Sequence, residues 1–445
     1  MKLPFRLGRI HLRNAAYSVA DYVSLPALML VSAPILLRRL GVERYSIWIL
    51  ASAAVTSGTL LSVGFGDAAL KHIATCRATG NRDGVETTFR TLLGINLVLG
   101  SLTAAAIACV APLLAARLPG LTPALRVEYR HALLLGCLLL LVKVVESVFV
   151  CTQRAFERYE TAAKLSMVGR LATIAGAVMM ALGGYGPTQI LAWSLAVTIT
   201  TASLQARAAV RIASLHTLMP SLTFSGVREL FTFGIFNWLQ GLIGLLTSQA
   251  DRFLVGYLLG PKALACYAIC VQAASPIHGV SVAALQIIFP YFASRTAALN
   301  AITLRRKIAL AFTANVAVVT MLTLPLLLAG HAILRRWMGE AFAAYATVPL
   351  QLTAVGFALM GLNVTGHFVL MAMGRVKLLA LANMVGAIAM LGAIWTLAPA
   401  HGVTGAAAGR LLFGPIICLI YLPLARTLSR TALAITSPST LQEAS

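Results

Sequence analysis

The sequence has few charged residues, and very few of these are acidic. Charged residues make up 11% of the 445 residues, with 13 Asp and Glu against 35 Lys and Arg, while hydrophobic residues make up 59%. This composition excludes a soluble globular domain and an intrinsically disordered chain. A net charge of +22 would indicate a nucleic-acid partner in a soluble protein. Here the basic residues lie in short linkers between apolar segments, so no nucleic-acid partner is expected.

Patterns typical of covalent chemistry or metal binding are also lacking. The seven cysteines are an odd number and contain no CxxC pair, which argues against a disulfide framework. Cys266 and Cys270 share a helical face, but no histidine or carboxylate stands at ligand spacing beside them. The sequence has no HExxH or GxSxG motif. It also has no GxxxxGK[ST] phosphate loop, and its linkers are too short for a nucleotide-binding domain, which excludes an ATP-driven pump within one chain. We therefore expect no cofactor, no metal and no enzymatic activity.

Long apolar runs dominate the sequence instead. The hydrocarbon core of a bilayer, about 30 Å thick, needs roughly 20 helical residues per crossing. We predict twelve spans, at residues 15–37, 46–66, 91–115, 131–151, 165–183, 188–206, 231–258, 263–290, 308–330, 348–371, 378–398 and 403–424. The linkers on one side of these spans hold most of the lysines and arginines, so the positive-inside rule places both termini in the cytoplasm. The predicted fold class is an all-α integral membrane protein.

Internal similarity divides the twelve spans into two halves. Residues 40–45 (LGVERY) resemble residues 259–264 (LGPKAL) at an offset of 219, and the MVG of residues 167–169 recurs at 384–386. Because six crossings is an even number, the halves share one orientation, as in transporters with parallel repeats. We predict an N-terminal six-helix lobe at 1–206, a cytoplasmic inter-lobe linker at 207–230, a C-terminal six-helix lobe at 231–424 and a cytoplasmic tail at 425–445.

Three segments carry a family resemblance. Residues 40–45, the QADRFLVG of residues 249–256, and Leu259-Gly260-Pro261 with Tyr267 beyond resemble the polysaccharide and O-antigen flippases of the multidrug/oligosaccharidyl-lipid/polysaccharide exporter superfamily. The resemblance implies a V-shaped two-lobe fold around a central cavity. It further implies that the protein flips an undecaprenyl-diphosphate-linked oligosaccharide from the cytoplasmic to the periplasmic leaflet of a bacterial inner membrane, for surface or exopolysaccharide assembly. The implied partners are membrane lipid and the polymerase and chain-length regulator of the pathway, and the implied oligomeric state is a monomer.

Six charged residues are predicted inside the bilayer, where a charge costs about 2.5–3.5 kcal/mol or more. They are Asp21, Lys143, Glu146, Asp251, Arg252 and Arg410. Lys143, Arg252 and Arg410 are candidate substrate-binding residues, because arginine and lysine both bind phosphate. The carboxylates of Asp21, Glu146 and Asp251 are candidates to carry an ion that is coupled to transport. Lys143 and Glu146 are spaced i,i+3, so a purely structural ion pair is the alternative.

Two polar stripes indicate which spans face water. The seventh span places Asn237, Gln240, Gly244, Ser248 and Asp251 at spacings of 3, 4, 4 and 3, and the first places Asn14, Tyr17, Asp21 and Ser24 at 3, 4 and 3. Each set lies on one helix face. Because the two spans are equivalent in the repeat, we expect both to line a central groove in which Asn237 and Gln240 contact the substrate. Interhelical hydrogen bonding is the alternative interpretation.

Two other functions remain open from the sequence. A cation-coupled multidrug exporter of the same superfamily should have an acidic and aromatic cavity for organic cations, whereas the predicted cavity has three cations and three acids. An intramembrane glycosyltransferase or polymerase usually has a sizeable extramembrane loop, and the predicted outer loops are short. The repeated halves favour a transporter.

Overall fold

The computed structural model describes residues 9–117, 122–222, 224–286, 301–373 and 375–424. All regular secondary structure in these ranges is helical. The helices are α1 (Arg9–Ala78), α2 (Arg82–Arg117), α3 (Pro123–Ala155), α4 (Tyr159–Leu182), α5 (Pro187–Ala213), α6 (Phe224–Ser248), α7 (Ala250–Gln286), α8 (Ala301–Leu328), α9 (Gly330–Met338), α10 (Glu340–Ala372), α11 (Val376–Leu411) and α12 (Phe413–Cys418).

Glycines with positive φ break three of the long helices in the described ranges. The breaks lie at Gly41 in α1 (φ 78°), Gly260 in α7 (φ 80°) and Gly402 in α11 (φ 60°). Residues with a side chain rarely adopt this backbone, so glycine allows the chain to turn at these points. α1 has 70 residues and would measure about 105 Å if it were straight. The break at Gly41 therefore lets two predicted spans lie within this one helix.

The helices expose apolar side chains of the kind that lipid covers. Met321 and Leu328 of α8 are 72% and 79% exposed. Among the described residues, seven segments are long and apolar enough to cross a membrane. Two of them, Gly241–Leu285 with 45 residues and Lys377–Leu424 with 48, are long enough for two crossings at roughly 20 residues each. The predicted all-α membrane fold class is confirmed, and the number of twelve crossings stays a prediction.

The chain forms two compact units, which we call the N-terminal unit (Met1–Ile269) and the C-terminal unit (Cys270–Ser445). In the N-terminal unit, α3 packs on α1, α2 and α5, while α1 also packs on α4 and α6. In the C-terminal unit, α10 packs on α8, α9 and α11. The lobe boundaries derived from the sequence stay a prediction.

The segment between α5 and α6 is docked on α2. Arg90 donates a hydrogen bond from Nε to the carbonyl of Met219 (3.0 Å), and the Glu86 carboxylate accepts one from the backbone N–H of His216 (3.2 Å). Leu215 is buried in the apolar cluster formed by α1, α2 and α3. These contacts hold this part of the predicted inter-lobe linker against the helices of the N-terminal unit.

Candidate functional site

A cavity of about 510 Å³ lies inside the N-terminal unit, among α1, α2, α3, α4 and α5. Small-molecule sites usually measure roughly 300–1,000 Å³, so this cavity can hold part of a substrate. Its apolar wall includes Trp48, Val55, Leu92 and Ile174. Polar and charged side chains lie among these apolar residues, as is usual for a binding site.

Three basic side chains and one acidic side chain line the cavity among the described residues. They are Lys143, Glu146 and Arg154 of α3 and Arg170 of α4. The Nζ atom of Lys143 lies 2.8 Å from Oε2 of Glu146, and the lysine side chain is 36% exposed while the glutamate is 8% exposed. Arg154 follows Lys143 by eleven residues, or about 16 Å along the helix. Positive charge therefore occupies two levels of the cavity.

Hydroxyl groups form much of the polar wall. Six of the lining hydroxyls donate to a backbone carbonyl three or four residues earlier in their own helix, namely those of Thr56, Thr59, Ser147, Thr173, Ser194 and Thr201. Because a hydroxyl has one proton and two lone pairs, such a group can also accept a hydrogen bond, as the Ser147 hydroxyl does from Asn96.

Asn96 connects α2 to α3 at the same wall. It is 1% exposed, and its Nδ2 donates to the carbonyl of Val144 and to the hydroxyl of Ser147, each at 3.2 Å. The carbonyl of Val144 can only accept a hydrogen bond, so the amide nitrogen of Asn96, and not its oxygen, faces α3. The side chain thus holds two of the cavity helices together.

Small residues let α4 and α5 approach each other at the cavity. A Cβ atom at Gly176 would overlap the indole ring of Trp193, and one at Gly169 would overlap the side chain of Thr201. The indole Nε1 of Trp193 donates to the carbonyl of Ala172 at 3.0 Å. The glycines of α4 therefore accommodate side chains of α5 that close this side of the wall.

Asp251 and Arg252 lie on α7 in the N-terminal unit and are not among the residues that line the cavity. Asp251 is 0% exposed. Its carboxylate accepts hydrogen bonds from the Tyr267 hydroxyl (2.7 Å) and the Arg252 backbone N–H (2.8 Å). Tyr267 follows the break at Gly260 and Asp251 precedes it, so the carboxylate connects the two arms of α7.

Arg410 belongs to the C-terminal unit. It is 5% exposed, and its guanidinium carbon lies 4.7 Å from the ring centroid of Phe357 on α10. This geometry is that of a cation–π interaction, which strengthens when the cation is desolvated. His278 of α7 lies within electrostatic range of Arg410. The interior of this unit therefore holds a fixed positive charge.

The side chains of Asp21, Asn237 and Gln240 lie outside the described residues, and their roles stay predictions. The structure brings Lys143 and Glu146 together in the cavity. Arg170 lines the cavity but was not among the predicted site residues. It falls inside the predicted span 165–183, where a charge is rare, so its position in the sequence could have indicated a role.

The comparisons with known proteins identify the family. The sequence profile of the polysaccharide biosynthesis protein family matches residues 75–342, which is more than half of the chain. The chain belongs to this family. No curated protein matches the chain in sequence.

Solved structures at low identity share the fold of this polysaccharide biosynthesis protein. An inward-facing multidrug resistance MATE family transporter of the MOP superfamily has a TM-score of 0.75 and 13% identity, covering 94% of this chain and 99% of that chain. The lipid II flippase MurJ, in an inward closed conformation, has a TM-score of 0.72 and 12% identity, covering 94% of this chain and 90% of that chain. A variant of the MATE transporter VcmN of Vibrio cholerae has a TM-score of 0.65 and 16% identity, covering 94% of this chain and 96% of that chain.

The family and the fold together confirm the resemblance to a polysaccharide flippase-type exporter. The fold and the apolar helices also make this polysaccharide biosynthesis protein a multi-pass membrane protein. The described cavity suits binding, because it offers cationic donors at two levels and acceptor oxygens between them. A ligand that carries both an anionic group and hydrogen-bond donors matches this arrangement.

Proposed function

We propose that the protein flips an undecaprenyl-diphosphate-linked oligosaccharide from the cytoplasmic to the periplasmic leaflet of a bacterial inner membrane. The movement proceeds by alternating access and involves no covalent chemistry, and the product serves O-antigen, other surface polysaccharide or exopolysaccharide assembly. The observation that supports this function is the cavity of about 510 Å³, whose described lining residues include three cations, one carboxylate and several hydroxyls, in a chain of the polysaccharide biosynthesis family. The diphosphate matches the cations, and the sugars match the hydroxyls.

Each candidate residue has a role in this proposal. The diphosphate contacts Lys143, Arg252 and Arg410 at successive stages of transport, and Arg154 and Arg170 add positive charge to the cavity wall. Asn237 and Gln240 contact the substrate from the polar stripe of α6. Asp21, Glu146 and Asp251 carry the coupled ion. The protein acts as a monomer, and the polymerase and chain-length regulator of the pathway use its product.

A cation-coupled multidrug exporter is the alternative, because MATE transporters share the fold. Against this alternative, the described cavity wall has three basic side chains and one acidic side chain. Basic side chains would repel an organic cation there. Two like unit charges 4 Å apart repel each other by about 4 kcal/mol at an effective dielectric constant of 20.

Reconstituted protein tests the proposal directly. Proteoliposomes are loaded with a fluorescent undecaprenyl-diphosphate oligosaccharide, and the fraction accessible to a membrane-impermeant quencher is followed over time. We expect the wild-type protein to equilibrate the lipid between leaflets, and Arg252→Ala and Arg410→Ala to abolish this activity. Arg336→Ala, at an exposed position on α9, is the control and should retain it.

The competing function predicts the opposite pattern. If the wild-type protein leaves the lipid in one leaflet and transports ethidium instead, the flippase proposal is wrong.

The role of the carboxylates has a separate test. Unchanged flipping after collapse of the proton gradient would remove Asp21, Glu146 and Asp251 as proton carriers.

A further inference from the structure

The segment between α5 and α6 exposes three large apolar side chains. Leu218, Met219 and Leu222 are 43%, 71% and 56% exposed, and we call them the linker patch. All three lie outside the predicted membrane spans. Single exposed apolar side chains are common on proteins, whereas several of them close together mark an interaction surface. The linker patch is therefore expected to meet a partner.

Contacts with α2 fix the level of the linker patch along that helix. The backbone N–H of Ser221 donates to the carbonyl of Arg90 (3.1 Å), and Nε of Arg90 donates to the carbonyl of Met219 (3.0 Å). A Cβ atom at Gly94 would lie 2.8 Å from the carbonyl oxygen of Ser221 and 2.9 Å from the side chain of Leu222. The segment therefore lies against α2 where the third predicted span begins.

The linker patch continues an exposed apolar face of α2. Gly94, Val98 and Leu102 follow one another at a spacing of four residues, so they share one face of the helix. Val98 and Leu102 are 45% and 62% exposed inside the predicted span, as expected of side chains that contact lipid. Leu222 packs on this face at Gly94, about 6 Å along the helix from Val98. The same lipid can therefore cover Val98 and Leu222.

The end of α5 marks the same boundary of the hydrocarbon. Ile199 and Leu204 are 49% and 41% exposed, and the exposed residues Arg207 and Arg211 follow them on the last two turns of the helix. Neither arginine forms an ion pair in the part of the chain that the structure describes. Long basic side chains at the end of a span extend toward the lipid headgroups. The segment that carries the linker patch begins three residues after Arg211.

We propose that residues 214–222 form an interfacial loop, in which the linker patch inserts into one lipid leaflet while Arg207 and Arg211 bind the phosphate groups of anionic lipids. Burial of apolar side chains and attraction to anionic headgroups are the two contributions that hold a peptide segment at a bilayer surface. The predicted orientation makes this the cytoplasmic leaflet. The partner is bilayer lipid and not the transported substrate, so the inference does not depend on the proposed function.

The turn between α1 and α2 offers a matched control position. Thr79 lies in this turn and is exposed, and the turn lies on the same predicted side of the membrane as the linker patch. Gly94 follows Arg82, the first residue of α2, by twelve residues, or about 18 Å along the helix. A label at Thr79 therefore lies well outside the hydrocarbon if the linker patch lies at its edge.

Fluorescence of a polarity-sensitive label tests the insertion. The exposed Cys109 is replaced by serine in the full-length protein, and Met219→Cys or Thr79→Cys is added and labelled with nitrobenzoxadiazole. Cys109→Ser alone gives the background of labelling. In phosphatidylcholine vesicles we expect a blue-shifted emission at Met219→Cys that brominated phosphatidylcholine quenches and aqueous iodide does not. The label at Thr79→Cys should emit as in water and be quenched by iodide.

The headgroup contact is measured with the same label in mixed vesicles. Phosphatidylglycerol and phosphatidylcholine are mixed in equal amounts, and each in turn is brominated, so that quenching at Met219→Cys gives the relative binding constant of the anionic lipid. We expect Arg207→Gln and Arg211→Gln each to lower this constant by up to about fivefold, because a basic side chain near an anionic surface contributes about 1 kcal/mol. Arg126→Gln, exposed on the opposite predicted side, should leave it unchanged.

Leu218→Cys provides a second labelling position if Met219→Cys fails to fold. Emission like that at Thr79→Cys would overturn the inference, because the linker patch would then lie in water. Shielding of the label from both brominated lipid and iodide would also overturn it, because protein would then cover the linker patch. An unchanged relative binding constant after both arginine substitutions would overturn the assignment of Arg207 and Arg211 to anionic headgroups.

Discussion

Removal of Lys143 and removal of Glu146 should affect stability unequally, although the two side chains form one ion pair. Their charged atoms are 2.8 Å apart, and the lysine is 36% exposed while the glutamate is 8% exposed. Lys143→Met leaves a carboxylate uncompensated in a buried wall. Glu146→Gln leaves an ammonium that water in the cavity can hydrate. The cost of breaking the pair therefore depends on which partner stays behind.

The magnitudes follow from the burial of each group. Removing one partner of a buried pair costs about 3–5 kcal/mol, and we expect Lys143→Met to cost about 3 kcal/mol, since water reaches one side of the pair. Glu146→Gln should cost about 1 kcal/mol, the upper end of the range for exposed pairs. The double variant should cost less than the sum by about 1–2 kcal/mol, because neither charge is then left alone.

Equilibrium unfolding in mixed detergent micelles, followed by tryptophan fluorescence, measures these differences. Lys164→Met is the control: Lys164 pairs with Glu160 at 2.7 Å, but the two side chains are 59% and 31% exposed, so its cost should be close to zero. Equal costs for the two single variants at the cavity, or strict additivity in the double variant, would refute the reasoning from burial.

Two further predictions concern the helix break and the stacked arginine. Gly41→Ala should lower the unfolding free energy by about 1–3 kcal/mol through backbone strain alone, because φ is 78° and no atom lies within 4 Å of the added Cβ. Gly244→Ala has equal space but lies inside α6 on a helical backbone, so in the same experiment it should raise the unfolding free energy by about 0.5–1 kcal/mol. Arg410→Lys should lower the flipping rate, because an ammonium keeps the charge but loses the planar stacking on Phe357. A flipping rate equal to that of the wild-type protein would show that charge alone suffices at this position.

Hydropathy predicted an all-α membrane fold, but it did not predict where the helices end. The spans predicted at 15–37 and 46–66 both lie within α1, which continues to Ala78. Hydropathy marks only the part of a helix that lies in hydrocarbon, and polar residues such as Lys71 and Thr75 extend the same helix beyond it. The offset of 219 did place glycines with positive φ at equivalent positions, Gly41 and Gly260.

The candidate site was predictable where its contacts are local. The i,i+3 spacing of Lys143 and Glu146 indicated their ion pair, because helix geometry alone brings them together. The bond from Asn96 to Val144 joins residues 48 positions apart, and no local pattern indicates such a contact. The position of Arg170 inside a predicted span marked it as unusual, but only the packing of α4 on α1 and α5 shows that it faces a cavity.

The ion pair also bears on how an anionic substrate is held in the cavity. The Lys143 ammonium has three N–H donors and gives one to Glu146 at 2.8 Å. Because the lysine side chain is 36% exposed, an anionic group in the cavity can contact this ammonium while the pair persists. A pair that contributes little to stability would therefore argue against a purely structural role for Lys143 and Glu146, and a pair that contributes strongly would favour that role.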